Sequence, residues 1–175
     1  HIELLRKAFG RKPLPVTKKE EKGYKGAIVI PPKKGVYHWI IVMDFKSLYP
    51  SIIIQLNIDP DTYVAHGLRR KTKGQFNRIT CSIVKDPESN EEFWFSKAPQ
   101  GDLPSILKNY LEKRKEKVNL MKLARQRGDF LIAEVLDTQQ TALKVISNAF
   151  YGSLLYRGVP SAFQCAKAVT CCARE

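Results

Sequence analysis

The residues best suited to chemistry lie at positions 44–51, where an acidic residue is followed by a short turn. Asp44 comes directly after an apolar run, and a carboxylate held at the end of a buried strand can bind a divalent cation that carries a phosphate. A tight turn through Ser47–Tyr49 can present backbone N–H groups to that phosphate, while Tyr49 closes one side of the pocket. The alternative is that Asp44 caps a turn and Tyr49 belongs to the core.

A second group of polar residues recurs at helical spacing over 144–152. Lys144, Asn148 and Tyr151 follow one another at steps of four and three, so a helix would place them on one face. A lysine can meet a phosphate, an asparagine can hydrogen-bond a ligand or position the lysine, and a tyrosine ring can stack on a base or sugar. Gly152 lets a ligand approach the backbone closely. The same pattern fits an ordinary amphipathic helix that ends at a glycine.

A cationic run of sequence KRKEK occupies residues 113–117, between these two motifs. If the helices that carry Arg114 and Lys144 lie side by side, the arginine adds a second cation for the same polyphosphate. A guanidinium can bind phosphate oxygens through two N–H groups at once. For most of the other basic residues, a solvated helix face is the simpler interpretation.

Hydrophobic patterning predicts the elements that position the first motif. Two β-like runs, Ala27–Ile30 and Tyr37–Met43, precede Asp44. The second run is apolar enough for a central strand that is buried on both faces. A short helix is expected to follow over residues 51–55.

Other parts of the first hundred residues have weaker patterns. Residues 1–9 are expected to form a short helix, followed by an extended basic arm. Residues 57–100 are interpreted as an insertion or a small subdomain, with β-like runs at Ile79–Val84 and Glu92–Phe95. Within this insertion, residues 69–74 are expected to form a mobile basic loop.

The second half of the chain is predicted to be helical. Apolar residues at steps of three and four indicate a helix from an N-cap at Asp102 to about Gln126. A second helix is expected from about Phe130 to Phe150, and because the link is short, the pair should form an antiparallel hairpin about 30 Å long. A last helix should begin near Ser161.

Composition limits the classes of protein to which the chain can belong. It has 30 Lys or Arg and 17 Asp or Glu among 175 residues, and this net charge of +13 indicates a polyanionic partner or a solvated basic surface. The longest apolar run, Trp39 to Met43, is far too short to span a bilayer. The four cysteines show no zinc-binding spacing, and adjacent Cys171 and Cys172 are interpreted as buried helix residues in a protein of a reducing compartment.

In this order, the motifs resemble those of the family B DNA polymerases. The segment DFKSLYPSII at 44–53 is similar to the first palm signature of that family, and KVISNAFYG at 144–152 is similar to its fingers signature. GDLPSILKNYLEKRK at 101–115 is similar to the segment that leads into the first fingers helix. Upstream, Tyr24-Lys25-Gly26-Ala27 is similar to the Tyr-x-Gly-Gly segment that precedes the palm strand.

The resemblance implies an α+β fold, in which part of a polymerase palm, with β-strands and packed helices, is joined to an antiparallel two-helix fingers hairpin. Residues 1–100 would be a basic arm and the first part of the palm, with the insertion at 57–100. Residues 101–152 would be the fingers, and 153–175 an incomplete return to the palm.

The resemblance also implies a role for each matching residue. Asp44 would be a catalytic carboxylate that helps to hold two Mg²⁺ ions, with the Phe45 carbonyl as a further ligand. The nucleotide would be bound by Ser47, Leu48, Tyr49, Arg114, Lys144 and Asn148, and DNA would be contacted by Tyr24, Gly26, Tyr151 and Gly152. Tyr49 would exclude a ribose 2′-hydroxyl, while Arg114 and Lys144 would grip the β- and γ-phosphates when the fingers close.

The sequence departs from the family pattern in three places. Val118 stands where a second lysine usually follows the fingers arginine by four positions, with Lys117 one position earlier. Ala27 stands at the second glycine of the Tyr-x-Gly-Gly segment. The family's last palm motif, Tyr-x-Asp-Thr-Asp, does not occur before Glu175, so the second set of metal ligands should come from other residues, and this chain alone should be inactive.

The function implied is template-directed DNA synthesis, in which a primer 3′-hydroxyl attacks a dNTP at two metal ions. The partners would be primer–template DNA, dNTP and the remainder of a polymerase chain, namely the last palm motif, thumb and exonuclease, with no membrane. The alternatives are a non-catalytic or split subunit that binds primer–template DNA, and a basic nucleic-acid-binding module outside the family. An intracellular setting is expected, and nuclear, viral and prokaryotic ones all stay open.

Overall fold

The computed structural model describes residues 26, 28–65, 76–155 and 161–175. In chain order their elements are α1 (Leu48–Leu56), β1 (Cys81–Lys85), β2 (Glu92–Ser96), α2 (Asp102–Arg127), α3 (Phe130–Leu154) and α4 (Ala162–Arg174). The predicted α+β fold class is confirmed. The helix predicted over 1–9 and the basic loop predicted over 69–74 lie outside the described residues.

The strands β1 and β2 form an antiparallel hairpin, in which Cys81 pairs with Ser96 and Lys85 pairs with Glu92. Phe93 and Phe95 are fully buried on one face, as the two-residue period of a strand requires. These strands confirm the two β-like runs predicted in this region, with a shift of two residues at the start of β1.

The helices α2 and α3 form the predicted antiparallel hairpin. With 26 and 25 residues, each helix is about 38 Å long, which exceeds the predicted length of about 30 Å. Most of the difference in α3 arises because it continues to Leu154. The chain reverses at Gly128, whose φ of 81° lies in the left-handed region that glycine adopts without strain. The N-cap of α2 is Gly101 rather than Asp102, so that prediction was wrong by one residue. Asp102 lies in the first turn, where its charge complements the helix dipole.

The main core lies where α1 meets α2, α3 and α4, and α4 covers the β-hairpin. Its largest fully buried side chains are Phe93, Phe95, Ile53, Ile58, Leu107, Leu154 and Val169. Small residues such as Cys165 and Ala166 let α4 approach its neighbours closely. Cys171 is buried as predicted, whereas Cys172 is only partly buried. No helix within the described ranges is long and apolar enough to cross a membrane.

The strands predicted before Asp44 do not form, and the prediction is wrong for residues 28–30 and 37–43. Side chains there are exposed, including 98% of Trp39 and 89% of Met43. A strand needs a neighbour that pairs with its backbone N–H and C=O groups, and the β1–β2 hairpin, which is the only sheet among the described residues, does not extend to this segment. The apolar segment therefore lies at the surface.

Candidate functional site

A turn at Ser47 leads the chain into α1. Ser47 adopts a left-handed conformation, with φ 55° and ψ 46°, and its carbonyl accepts a hydrogen bond from the Ser51 N–H at 3.0 Å. Leu48 and Tyr49 follow in the first turn, where backbone N–H groups have no acceptor within the helix. The turn therefore presents the partly positive N-terminus of α1, which attracts anions.

Arg114 of α2 connects this turn to the helical hairpin. Its Nη1 donates a hydrogen bond to Ser47 Oγ at 3.3 Å, and its Nε donates to Gln140 Oε1 on α3 at 3.2 Å. The side chain is only half-buried, so part of the guanidinium faces solvent. One cation thus lies where α1, α2 and α3 meet.

A pocket of about 230 Å³ opens beside Arg114, between the Ser47 turn and α2. Its lining residues are Lys46, Ser47, Ser51, Leu111, Arg114, Lys115 and Val118. Two hydroxyl groups and three cations in so small a space favour a polyanionic ligand such as a polyphosphate.

Two of these cations, Lys46 and Lys115, were not among the sequence-predicted site residues. A signal for Lys115 was present, because Leu111, Arg114, Lys115 and Val118 follow the i, i+3, i+4, i+7 pattern of a single helix face. The structure also places Val118, rather than Lys117, in the pocket lining.

One stripe along α3 consists of Gln140, Lys144, Asn148 and Tyr151. At one end of the stripe Gln140 contacts Arg114, and at the other end Tyr151 packs against Tyr49. On an α-helix these four positions of α3 span an arc of about 80°. Lys144 and Asn148 are exposed on this face and do not line the pocket.

The two predicted site tyrosines are in direct contact. The ring centroids of Tyr49 and Tyr151 are 4.5 Å apart, and the ring planes are inclined by 47°. Both side chains are half-buried against the main core. An added Cβ at the neighbouring Gly152 would meet nothing within 4 Å among the described residues, so the backbone is accessible there.

The remaining predicted site residues lie near the start of the described chain. Asp44 and Phe45 are exposed a few residues before the Ser47 turn, and not at the end of a buried strand. Gly26 is exposed, and its carbonyl accepts a hydrogen bond from Arg174 Nη1 at 3.2 Å. Tyr24 lies outside the described residues.

The carboxylate of Asp44 does not belong to a complete metal site. Among the described residues, no group of three or more His, Cys, Asp or Glu side chains could hold a metal ion. Asp44 offers a single hard oxygen ligand of the kind that Mg²⁺ prefers. A site for two such ions would need further carboxylates.

Buried polar side chains fix the start of α2 relative to the end of α1. Asn57 donates hydrogen bonds to the carbonyls of Ser96 and Pro99 and accepts one from the Gly101 N–H at 2.9 Å. Asp59 Oδ2 accepts a hydrogen bond from the Leu103 N–H at 2.9 Å. Sequence reasoning missed this cluster, because the partners are 39 to 44 positions apart.

Comparison with known proteins matches residues 3–175 to DNA polymerase family B. The chain is 34% identical to a DNA polymerase of Pyrococcus glycovorans and 36% identical to one of Thermococcus sp. (strain 9oN-7), with 98% of this chain and 21% of each relative aligned. The solved structure of the family B DNA polymerase from Pyrobaculum calidifontis superposes with a TM-score of 0.67 at 33% identity, over 97% of this chain and 21% of that one. The chain thus spans about a fifth of these relatives.

Proposed function

Because this chain belongs to DNA polymerase family B, we propose that it supplies the part of a polymerase that binds the incoming dNTP during template-directed DNA synthesis. The observation that carries the proposal is the cationic pocket between the Ser47 turn and α2. A triphosphate is the polyanion that a DNA polymerase must bind for each nucleotide that it adds.

Three groups from separate elements bind the triphosphate in this proposal. The backbone N–H groups of Ser47 and Leu48 donate to phosphate oxygens at the N-terminus of α1. Arg114 binds the β- and γ-phosphates through its guanidinium, and Lys144 approaches from α3 with Asn148 in support. Because Lys144 lies outside the pocket, it would reach the phosphates only when the fingers, with α2 and α3 together, close on the nucleotide.

The tyrosine pair selects the sugar and contacts the nascent base pair. Tyr49 lies two residues beyond Ser47, so a nucleotide whose phosphates occupy the pocket brings its sugar toward this ring. The ring leaves no room for a 2′-hydroxyl, which favours dNTP over rNTP. Tyr151 and Gly152 line the base pair, and Tyr24 and Gly26 contact the template strand.

Asp44 supplies one carboxylate to a site for two Mg²⁺ ions, with the Phe45 carbonyl as a further ligand. Ions held by Asp44 and the Phe45 carbonyl would lower the barrier for attack of the primer 3′-hydroxyl on the α-phosphate and would stabilise the departing pyrophosphate. Further carboxylates for this site would come from the remainder of the polymerase chain. The exposure of Asp44 close to the Ser47 turn supports this assignment.

The remainder of a polymerase chain is the first partner, and primer–template DNA is the second. The exposed apolar residues of 28–46 support this view, since such a surface marks an interaction site. In the completed enzyme, residues 1–100 form a basic arm and part of the palm, 101–152 the fingers, and 153–175 the return to the palm. The remainder of the polymerase chain would contribute the last palm motif, the thumb and the exonuclease.

A test of the nucleotide pocket measures equilibrium dNTP binding in a full-length polymerase that carries residues 1–175. Arg114→Ala should raise the Kd by about 10-fold or more, because it removes charge-assisted hydrogen bonds. Lys113→Ala is the matched control, because this exposed lysine does not line the pocket. Equal Kd values for the two variants would contradict the proposed site.

A non-catalytic subunit that binds primer–template DNA is the second candidate. The net charge of +13 supports it, because a strongly basic chain attracts the phosphates of DNA. Such a subunit would bind DNA without any contribution from dNTP. The same binding measurement separates the two candidates, because only the nucleotide site predicts an effect of Arg114 on dNTP affinity.

A further inference from the structure

We propose that Gln140, held in place by Asp137, is a positioning residue that orients the Arg114 guanidinium toward the phosphate pocket. This inference rests on the nucleotide site proposed above. Both residues lie on α3, and neither of them lines the pocket. They would act on the nucleotide through Arg114.

The neighbours of Gln140 determine which way its amide points. The Nε2 group donates hydrogen bonds to Asp137 Oδ1 at 2.8 Å and to Thr141 Oγ1 at 3.0 Å, while Oε1 accepts from Arg114 Nε at 3.2 Å. The reverse orientation would turn the amide N–H groups toward the guanidinium donors and the amide oxygen toward the carboxylate. Asp137 therefore favours the orientation in which the amide oxygen faces Arg114.

This amide determines which edge of the guanidinium is available to a ligand. Among the described residues, Gln140 and Ser47 accept hydrogen bonds from two of the five N–H groups of Arg114. Because Nε is bound to Gln140 and one N–H of Nη1 is bound to Ser47, the donors still available are the other N–H of Nη1 and the two of Nη2. These donors can form charge-assisted hydrogen bonds to phosphate oxygens.

A neutral amide orients the arginine without cancelling its charge. A carboxylate directly against Arg114 would compete with phosphate for the same cation. In the chain of hydrogen bonds from Arg114 through Gln140 to Asp137, only Asp137 carries a negative charge, and the Gln140 amide separates it from Arg114. The second carboxylate oxygen of Asp137 lies 3.8 Å from Arg125 Nη2, so another cation shares that charge. The positive charge of Arg114 stays available for a ligand.

A double-mutant cycle tests this role in a full-length polymerase that carries residues 1–175. Gln140→Met keeps the side-chain length but removes the hydrogen bonds, and we expect it to raise the equilibrium Kd for dNTP about fivefold. In an Arg114→Ala background, Gln140→Met should cause no further increase, because there is no guanidinium to orient. Gln139→Met, at the exposed neighbouring position, is the control and should leave the Kd unchanged.

An equal loss in both backgrounds would overturn the positioning role, since it would show that Gln140 acts independently of Arg114. An unchanged Kd for Gln140→Met would also overturn it. If Arg114→Ala itself leaves the Kd unchanged, the nucleotide site is wrong as well. Should Gln140→Met fail to fold, Asp137→Ala tests the same path at a half-exposed position and should raise the Kd about twofold, again only when Arg114 is present.

Discussion

The aromatic rings of Tyr49 and Tyr151 pack together with their centroids 4.5 Å apart, and this contact joins α1 to the last turns of α3. At the other end of the same stripe of α3, Gln140 binds Arg114, which in turn contacts Ser47 just before α1. The stripe that carries Lys144 and Asn148 is therefore attached at both ends to the segment around α1.

Truncation of Tyr49 should reduce discrimination between sugars. Tyr49→Ala removes the ring that we place against the 2′-position, so ribonucleotide incorporation by a full-length polymerase carrying this chain should rise about 10-fold or more relative to dNTP. Tyr49→Phe keeps the ring and is the control. The measurement is the ratio of kcat/KM for dNTP and rNTP, and an unchanged ratio in Tyr49→Ala would remove Tyr49 from the sugar site.

A lysine at position 118 should strengthen nucleotide use. Val118 lines the pocket with Lys46, Arg114 and Lys115, so Val118→Lys adds a fourth cation beside the triphosphate. We expect the KM for dNTP to fall about threefold in the full-length enzyme, with a stronger effect at low salt. Asn119→Lys adds the same charge at an exposed neighbouring position, and an equal decrease in KM there would show that only net charge matters.

The contact between Gly101 and Asp59 should be important for stability. A Cβ atom at position 101 would lie 2.6 Å from the Asp59 Cβ, so Gly101→Ala must displace the start of α2 from Asp59. We expect the free energy of unfolding to fall by about 1–3 kcal/mol, as in other overpacked sites. Denaturant titration of the 175-residue chain measures the change.

Gly26→Ala is the control for this substitution, because an added Cβ there meets nothing within 4 Å among the described residues. A similar loss of stability in both variants would contradict the steric explanation. A loss confined to Gly101→Ala would support it.

Stability should also depend on pH through Asp86. A hydrogen bond from the Ser89 hydroxyl lowers the pKa of Asp86, and the Arg174 guanidinium at 3.4 Å adds to the effect. Because the pKa is lower in the folded state, the ionised carboxylate stabilises the fold above its unfolded pKa, and this stabilisation is lost as the pH falls through the folded pKa. Asp86→Asn should therefore lower the free energy of unfolding at neutral pH. The decrease should be smaller below about pH 4, where the carboxylate of the unchanged chain becomes protonated.

Thermal unfolding of the 175-residue chain and of Asp86→Asn between pH 3 and pH 7 measures this dependence. Glu116→Gln, which changes an exposed carboxylate on α2, is the control. A stability difference between Asp86→Asn and the unchanged chain that stays constant over this range would contradict the assignment.

The long helices were predictable because each carries its own signal. The apolar stripe of α2 and the glycine at 128 are local features, and their boundaries were predicted to within a few residues. The strand predicted at 37–43 does not form, because a strand is not determined by local sequence alone. A strand depends on a neighbouring strand, which no local pattern can supply.

The sequence motifs that contain the site residues were predictable, but the contacts between residues of different motifs were not. Helical spacing placed Lys144, Asn148 and Tyr151 on one face, and the structure adds the contact from Tyr151 to Tyr49. The contact of Arg114 with Ser47 spans 67 positions, and the one with Gln140 spans 26. Such contacts arise from packing of separate elements, so sequence spacing alone does not reveal them.

Primer extension by a full-length polymerase that carries residues 1–175 tests the proposed function most directly, when the unchanged enzyme is compared with Asp44→Ala. We expect Asp44→Ala to abolish nucleotide addition and to leave the Kd for primer–template DNA within about twofold, because one metal ligand is lost while the DNA contacts remain. Normal extension by Asp44→Ala would contradict the assignment of this chain to the catalytic nucleotide site.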